Sequence, residues 1–245
     1  MIKGWFAVYY RELLILRRKF FRQAASMSIA PLLYLIAFGL GMGRNITVDG
    51  HSYMEFLVPG LVAMTSMTQA FAIGVEINVA RFYWHIFDEF QSAPVSNLAY
   101  VIGETLAGIT RALLSSAIIL VIAALFGIVL HYSLFFWLII ILNSFIFASI
   151  AICSAMLVKS HADQSLFSNF IITPMAFLGG TFFPVENLPF RAQKLLNLLP
   201  LTHASHAIRD ASYGNMPNIF PYLLLSGIGV IFFIAGVFCV NKAKS

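Results

Sequence analysis

His203 and His206 stand three residues apart, a spacing that sets two imidazoles on one helical face as a metal pair would, with Asp210 a turn further on. Two histidines and one carboxylate are a thin ligand set, and packing or interfacial hydrogen bonding is the simpler account, so no metal is assigned. None of the six histidines is followed by Glu, which removes the His-Glu-x-x-His metallohydrolase helix. No Gly-x-Ser-x-Gly elbow is present to expose a serine nucleophile. Cys153 and Cys239 lie far apart inside apolar runs and define neither a disulfide framework nor a metal quartet. No Gly-Lys pair occurs, so the chain lacks the phosphate-cradling P-loop, and any ATP chemistry belongs to another subunit. The residues able to carry a coupling ion are Glu76, Glu104 and Arg111. They are expected at helix ends, anchored in the interface with their charged heads in water, which disfavours an ion-coupled carrier.

The elements that would hold these residues follow from composition. Of 245 residues 60% are apolar and 10% charged, against about 25% charged in a soluble domain. At about 20 residues per crossing of a ~30 Å hydrocarbon core, this is apolar material for about six or seven helices. The 24 Phe and 9 Tyr sit in long runs, not in the short alternating strands of an outer-membrane barrel. The fold class expected is therefore an all-α membrane protein. The net charge of +5 serves topology here, and no nucleic-acid partner is expected.

Residues 1–22 place Ile2, Trp5, Phe6, Tyr9, Leu13, Leu16 and Phe20 at intervals of three and four, with Arg11, Arg17, Arg18 and Arg22 on other faces. This predicts an amphipathic helix lying in the membrane interface against lipid headgroups; the alternative is a long positive flank to the first span. Its charges leave no clean apolar core for a signal peptide, and none is expected. Six spans are predicted at residues 24–43, 56–75, 112–130, 134–158, 165–183 and 220–240. Residues 81–97 read as a short helix and a turn closing on Pro94. No internal repeat is visible, and residues 1–245 are taken as one domain.

With an even number of spans both termini share a side. Placing them in the cytoplasm puts Lys3, Arg11, Arg17, Arg18, Lys19, Arg22, Arg81, Lys159, Lys242 and Lys244 inside, and Arg44, Arg191, Lys194 and Arg209 outside. That ten-to-four division favours cytoplasmic termini.

Two stretches carry a family resemblance. The first is Phe87-Asp-Glu-Phe-Gln-Ser-Ala-Pro-Val-Ser-Asn; the second is Gly179-Gly-Thr-Phe-Phe-Pro-Val-Glu-Asn-Leu-Pro, followed by Leu198-Leu-Pro-Leu-Thr-His and Arg209. Together with the order of parts over essentially the whole chain, they resemble the membrane subunit of type-2 ABC exporters, in particular the compact drug, lipo-oligosaccharide and polysaccharide export permeases. The resemblance implies a homodimer in a bacterial cytoplasmic membrane, served by two copies of a separate ATP-binding subunit that holds the ATP and magnesium; this chain itself holds no cofactor. It implies that 81–97 is a coupling helix whose Phe87, Asp88, Glu89 and Phe90 dock on the ATPase, the alternative being a loop that keeps its aromatics among the headgroups. The basic helix, with Arg17 and Arg18, would be a second contact, and residues 159–164 a minor third. It also implies that 184–217 is an extracellular re-entrant segment at the exit of the pathway. Gly179 and Gly180 would interrupt the fifth span there, and Pro184 and Pro189 would prevent a regular helix before a short returning helix over 190–199; a plain surface loop is the alternative. The function so implied is outward movement of an amphipathic or lipid-linked molecule by alternating access, against the rival readings of a small intramembrane enzyme or an ion-coupled carrier.

Overall fold

Four serines mark where helices begin. Ser52, Ser96, Ser133 and Ser160 each have extended backbone and accept, through the side-chain oxygen, the N–H of the residue three positions on. At Ser52 the box is reciprocal: its own N–H donates to Glu55 Oε2 at 2.8 Å. The computed structural model describes residues 4–43, 46–48, 50–84, 86 and 95–243, without the side chain of Met42. Phe87, Asp88, Glu89 and Phe90 lie outside the described residues.

The chain runs through α1 (Gly4–Arg18) and, after a break at Lys19, α2 (Phe20–Tyr34), which continues as a π-helix over Leu35–Met42. A two-residue hairpin pairs β1 (Thr47–Val48) with β2 (His51–Ser52). There follow α3 (Tyr53–Phe71), α4 (Ile73–Phe82), α5 (Asn97–Leu125) and α6 (Leu134–Leu157). Next, α7 (His161–Phe167) passes through a π-turn at Ser168–Ile172 into α8 (Thr173–Leu178). A 3-10 turn at Val185–Asn187 precedes α9 (Phe190–Leu196), α10 (Pro200–Ser212) and α11 (Ile219–Ala243).

Among the described residues five helical stretches are long and apolar enough to cross a membrane: Phe20–Gly41, Tyr53–Phe82, Asn97–Leu125, Leu134–Leu157 and Ile219–Ala243. Three of them differ from the sequence expectation at their ends. The second runs past Glu76 to Phe82, and the third starts at Asn97 rather than Ala112 and stops at Leu125, because Ser96 caps it and its charged residues pair inside the protein. The basic amphipathic helix ends at Arg18, and the first apolar helix begins at Phe20 rather than Ala24. The expected fifth span is helical over His161–Leu178 but interrupted by the π-turn.

α3 is the centre of the bundle, with every residue from Phe56 to Met67 buried. It packs against α5, α6 and α10, with α4 on α6 and α11 laid along α6 from outside. In an apolar surround, hydrogen bonds between helices add to van der Waals packing. Asn143 of α6 donates to Ser66 Oγ at 2.8 Å and to the Ala63 carbonyl at 3.1 Å on α3. At the other end of α6, Arg81 donates to the Met156 carbonyl at 2.8 Å and the Ala155 carbonyl at 3.2 Å, a cation on the carbonyl end of a helix.

Candidate functional site

Chemistry gathers at the two ends of the bundle. At the α1 end, Val8, Glu12 and Leu16 form the buried stripe of α1 and face α5, where Tyr9 meets Thr110 at 3.0 Å. The aromatic face of α1 is thus divided: Phe6, Tyr10 and Leu13 remain exposed while the 8-12-16 row is covered by protein. Arg111 lies opposite Glu12, 4% exposed, and its two terminal nitrogens fork onto both carboxylate oxygens of Glu76, with Nη1 to Oε1 at 2.7 Å. Nη2 also reaches Glu12 Oε2 at 3.4 Å, and Arg11 closes on Glu12 Oε1 at 2.8 Å. Glu104, 2% exposed, adds a third carboxylate within electrostatic reach of Glu12, Arg11 and Arg111. Burial pushes the Glu12 carboxyl above its usual range against the pull of Arg11; Glu76 pushes the same way and Arg111 opposes.

This corrects the expectation that Glu76, Glu104 and Arg111 are interface anchors with their heads in water. Glu104 and Arg111 are enclosed, and only Glu76, with 38% of its side chain exposed, keeps a wet edge. The physical reason is that an ionised group inside an apolar helix is tolerated where a counter-charge meets it, and three elements bring theirs to one point. The spacing held a signal: Glu104 and Arg111 are seven residues apart, two turns along one face of an otherwise apolar helix. Glu12 was missed because it read as one charge among many in a basic helix. Arg17 and Arg18 are exposed in the last turn of α1, and Arg18 lines a cavity of about 360 Å³ with Arg11, Glu12, Lys19, Glu76 and Trp84.

At the hairpin end the chain leaves α8 and runs without regular structure through Gly179, Gly180 and Thr181, all buried. Buried backbone away from a ladder must find other partners. Here side chains supply them. Ser205 Oγ donates to the Gly179 carbonyl at 2.7 Å, Arg209 Nη2 to the Gly180 carbonyl at 2.9 Å, and the Tyr53 hydroxyl to the Phe182 carbonyl at 2.8 Å. Arg209, 7% exposed, also stacks on Phe56 with its guanidinium carbon 3.8 Å from the ring centroid, and Nε reaches the Phe56 carbonyl at 3.4 Å. Gly180 has φ +78°, a left-handed conformation that favours glycine. A Cβ on Gly60 of α3 would stand 2.5 Å from the Thr181 carbonyl oxygen, so the irregular strand lies directly on the helix there. Pro184 is half-buried at the head of the 3-10 turn, and exposed Pro189 precedes α9. The backbone of 179–181 is thus packed into protein, and a short helix follows at Phe190–Leu196.

The two histidines of the opening motif take separate partners. His203 Nε2 meets the Asn197 carbonyl at 2.8 Å, and His206 Nδ1 faces Glu186 Oε1 at 3.5 Å. Burial, aided by Arg209, holds His206 below the ordinary imidazole range, while Glu186 and Asp210 pull it upward. Burial raises the Asp210 carboxyl. Among the described residues no three of His, Cys, Asp or Glu stand close enough to share a metal ion.

Comparison with known proteins gives this geometry a context. A family model described as ABC-2 type transporter matches residues 3–213, from α1 through α10. The chain is 32% identical over 215 residues to Nodulation protein J of Rhizobium meliloti (strain 1021), covering 86% of this chain and 82% of that protein. It is also 30% identical over 210 residues to the Inner membrane transport permease YadH of Escherichia coli (strain K12), covering 84% of this chain and 81% of that permease.

Proposed function

The chain belongs to the ABC-2 type transporter family, and from that premise we propose that it is the permease half of an ATP-driven exporter. Two copies form the pathway, and two copies of a separate ATP-binding subunit drive it. The substrate is an amphipathic or lipid-linked molecule, a glycolipid, polysaccharide or drug, moved outward across a bacterial cytoplasmic membrane by alternating access. The observation that carries this reading is the family match over both bundle ends together with the absence of a P-loop in the chain. The segment 81–97, with Phe87, Asp88, Glu89 and Phe90, is the docking element. α1 braces the ATPase through exposed Arg17 and Arg18, and the clamp of Glu12 on Arg111 ties α1 to α5. His161–Leu178 serves as a short sixth crossing, which returns the carboxyl terminus to the side of the amino terminus.

The α1 end is then cytoplasmic and the hairpin end external, as the division of Lys and Arg favours. An impermeant thiol reagent applied to intact cells should label Thr47→Cys and spare Ser92→Cys in a background without Cys153 and Cys239. Labelling of position 92 with protection of position 47 reverses the topology.

Reconstitution tests the coupling. Proteoliposomes holding the permease with its ATP-binding subunit should transport only with ATP and keep transporting when ion gradients are dissipated. Asp88→Lys with Glu89→Lys should abolish transport and recovery of the ATPase complex while leaving the permease monodisperse, because charge changes on a docking surface away from the buried networks cost its own fold little. Transport by this chain alone down an imposed proton or sodium gradient would sink the exporter reading, since Glu104 and Arg111 are buried groups of the kind that ion-coupled carriers use. Full transport with an intact complex in the charge-reversed variant would remove the docking role.

A further inference from the structure

Above the Gly180 strand, between the hairpin, the 3-10 turn and α10, lies a cleft of about 350 Å³ lined by His51, Glu186, His206, Asp210, Tyr213 and Asn215. Glu186 and His206 also line a second hollow of about 290 Å³ that continues past Gln193, Asn197 and His203. The two hollows adjoin at Glu186 and His206, which line both and approach each other to 3.5 Å.

The lining selects among ligand chemistries. Among the described residues, the Lys or Arg that lines the two hollows is Arg209, already engaged with the Gly180 and Phe56 carbonyls and the Phe56 ring, while Glu186 and Asp210 add two carboxylates. Among the described lining residues, an anionic ligand would meet two carboxylates and one arginine that is already engaged. An acyl chain would find Phe56 and Val185 on the wall, but it would also strip water from the carboxylates, imidazoles and amides beside them without offering them a partner. A metal ion lacks a third ligand within reach among the described residues. What the wall does offer is hydrogen-bond acceptors on two carboxylates and both donors and acceptors on Gln193, Asn197 and Asn215. It also offers a flat ring pair, His51 on Tyr213 with centroids 3.8 Å apart and planes 9° from parallel. Carboxylates accept strong hydrogen bonds from hydroxyls, and an aromatic face accommodates the apolar face of a pyranose. Two adjoining hollows suit a ligand of several linked rings.

We propose that this groove is a binding site for an uncharged oligosaccharide. It deepens the export reading by assigning the external end of the permease a contact with the sugar portion of its substrate, and it rests on that reading for its purpose but not for its chemistry. The complete chain in lipid nanodiscs, which expose both faces whatever the topology, is titrated with maltotriose, cellotriose and mannotriose and with the acidic trisaccharide trigalacturonate, read by saturation-transfer NMR. At least one neutral trisaccharide should bind and trigalacturonate should not. Glu186→Gln with Asp210→Asn should weaken that binding by about tenfold or more, the effect of losing charge-assisted hydrogen bonds. His51→Ala, at the partly exposed ring of the stack, should weaken it independently, with the unfolding midpoint of both variants measured beside wild type so that misfolding is not read as lost affinity. Absence of binding by all neutral probes, equal binding of trigalacturonate, or unchanged affinity in well-folded variants overturns the site. Failure of ATP-driven transport with sugar binding intact counts against the exporter and not against the groove.

Discussion

Arg111→Met should lower the stability of the permease by about 3 kcal/mol, the lower end of the range for breaking a buried ion pair. The lower end applies because the two carboxylates that lose a hydrogen bond to Arg111 are unequal. Glu12 is 3% exposed and keeps Arg11, whereas Glu76 retains solvent along 38% of its side chain. The loss should be local in its signature: α1 loses the ionic tie of Glu12 to Arg111 on α5 and keeps the Tyr9–Thr110 hydrogen bond, so protease should cut after Arg17 or Arg18 at lower concentration than in wild type. Arg111→Lys should not restore it, since a single ammonium cannot bridge both oxygens of Glu76 and reach Glu12. Neutralising Arg111 with both of its hydrogen-bonded partners, by Glu12→Gln and Glu76→Gln added to Arg111→Met, should recover much of the loss, because uncharged groups carry no burial penalty of ions. Thermal unfolding in detergent measures the first expectation and limited proteolysis the second. An unchanged midpoint with α1 still protected would show that the cluster does not clamp the helix.

Arg209→Leu should act at the other end with similar size, about 3 kcal/mol. Leucine fills part of the volume but leaves the Gly180 carbonyl buried without its donor, about 1–3 kcal/mol, and forfeits the stack on Phe56, up to about 2 kcal/mol when desolvated. Hydrogen exchange should rise over 179–183 and leave α5 and α6 unchanged, since those helices are tied through Asn143 and apolar packing rather than through Arg209. Exchange that rises evenly through the bundle, or not at all, would show that Arg209 does not specifically hold this strand.

Both clusters join residues that no local pattern in the sequence pairs. The apolar runs, the basic amphipathic helix, the break around Gly179 and Pro184 and the short helix after Pro189 were visible because each is a local pattern of period or of backbone-restricted residues. The partners were not, because they are distant in sequence. Glu12 and Arg111 are 99 residues apart, Glu76 and Arg111 35, and Tyr53 donates to a carbonyl 129 residues on. A charged residue in an apolar helix reads the same whether it reaches for water or for a counter-charge, and the helix that supplies the counter-charge decides. The same ambiguity moved the start of α5: Glu104 and Arg111 argued for hydrocarbon only from Ala112, while the Ser96 cap and the buried pairing extend one helix across all of it. The interruption at Gly179 and Gly180 was expected from the glycines, but the donors that let the irregular backbone be buried come from α3 and α10.

The chain order of the charge cluster has a consequence for biosynthesis. A ribosome releases α1 with Glu12 first, then α4 with Glu76, and only afterwards α5 with Arg111. A lone arginine entering the bilayer on an isolated helix costs at least about 2.5–3.5 kcal/mol, and a helix bearing Glu104 as well carries that burden twice. Here both acidic partners are already at the membrane when Arg111 arrives, so α5 can enter against neighbours that neutralise it. Moving the acidic residues to a helix made after α5 would leave the finished contacts the same on paper while exposing the unfinished chain to the full cost.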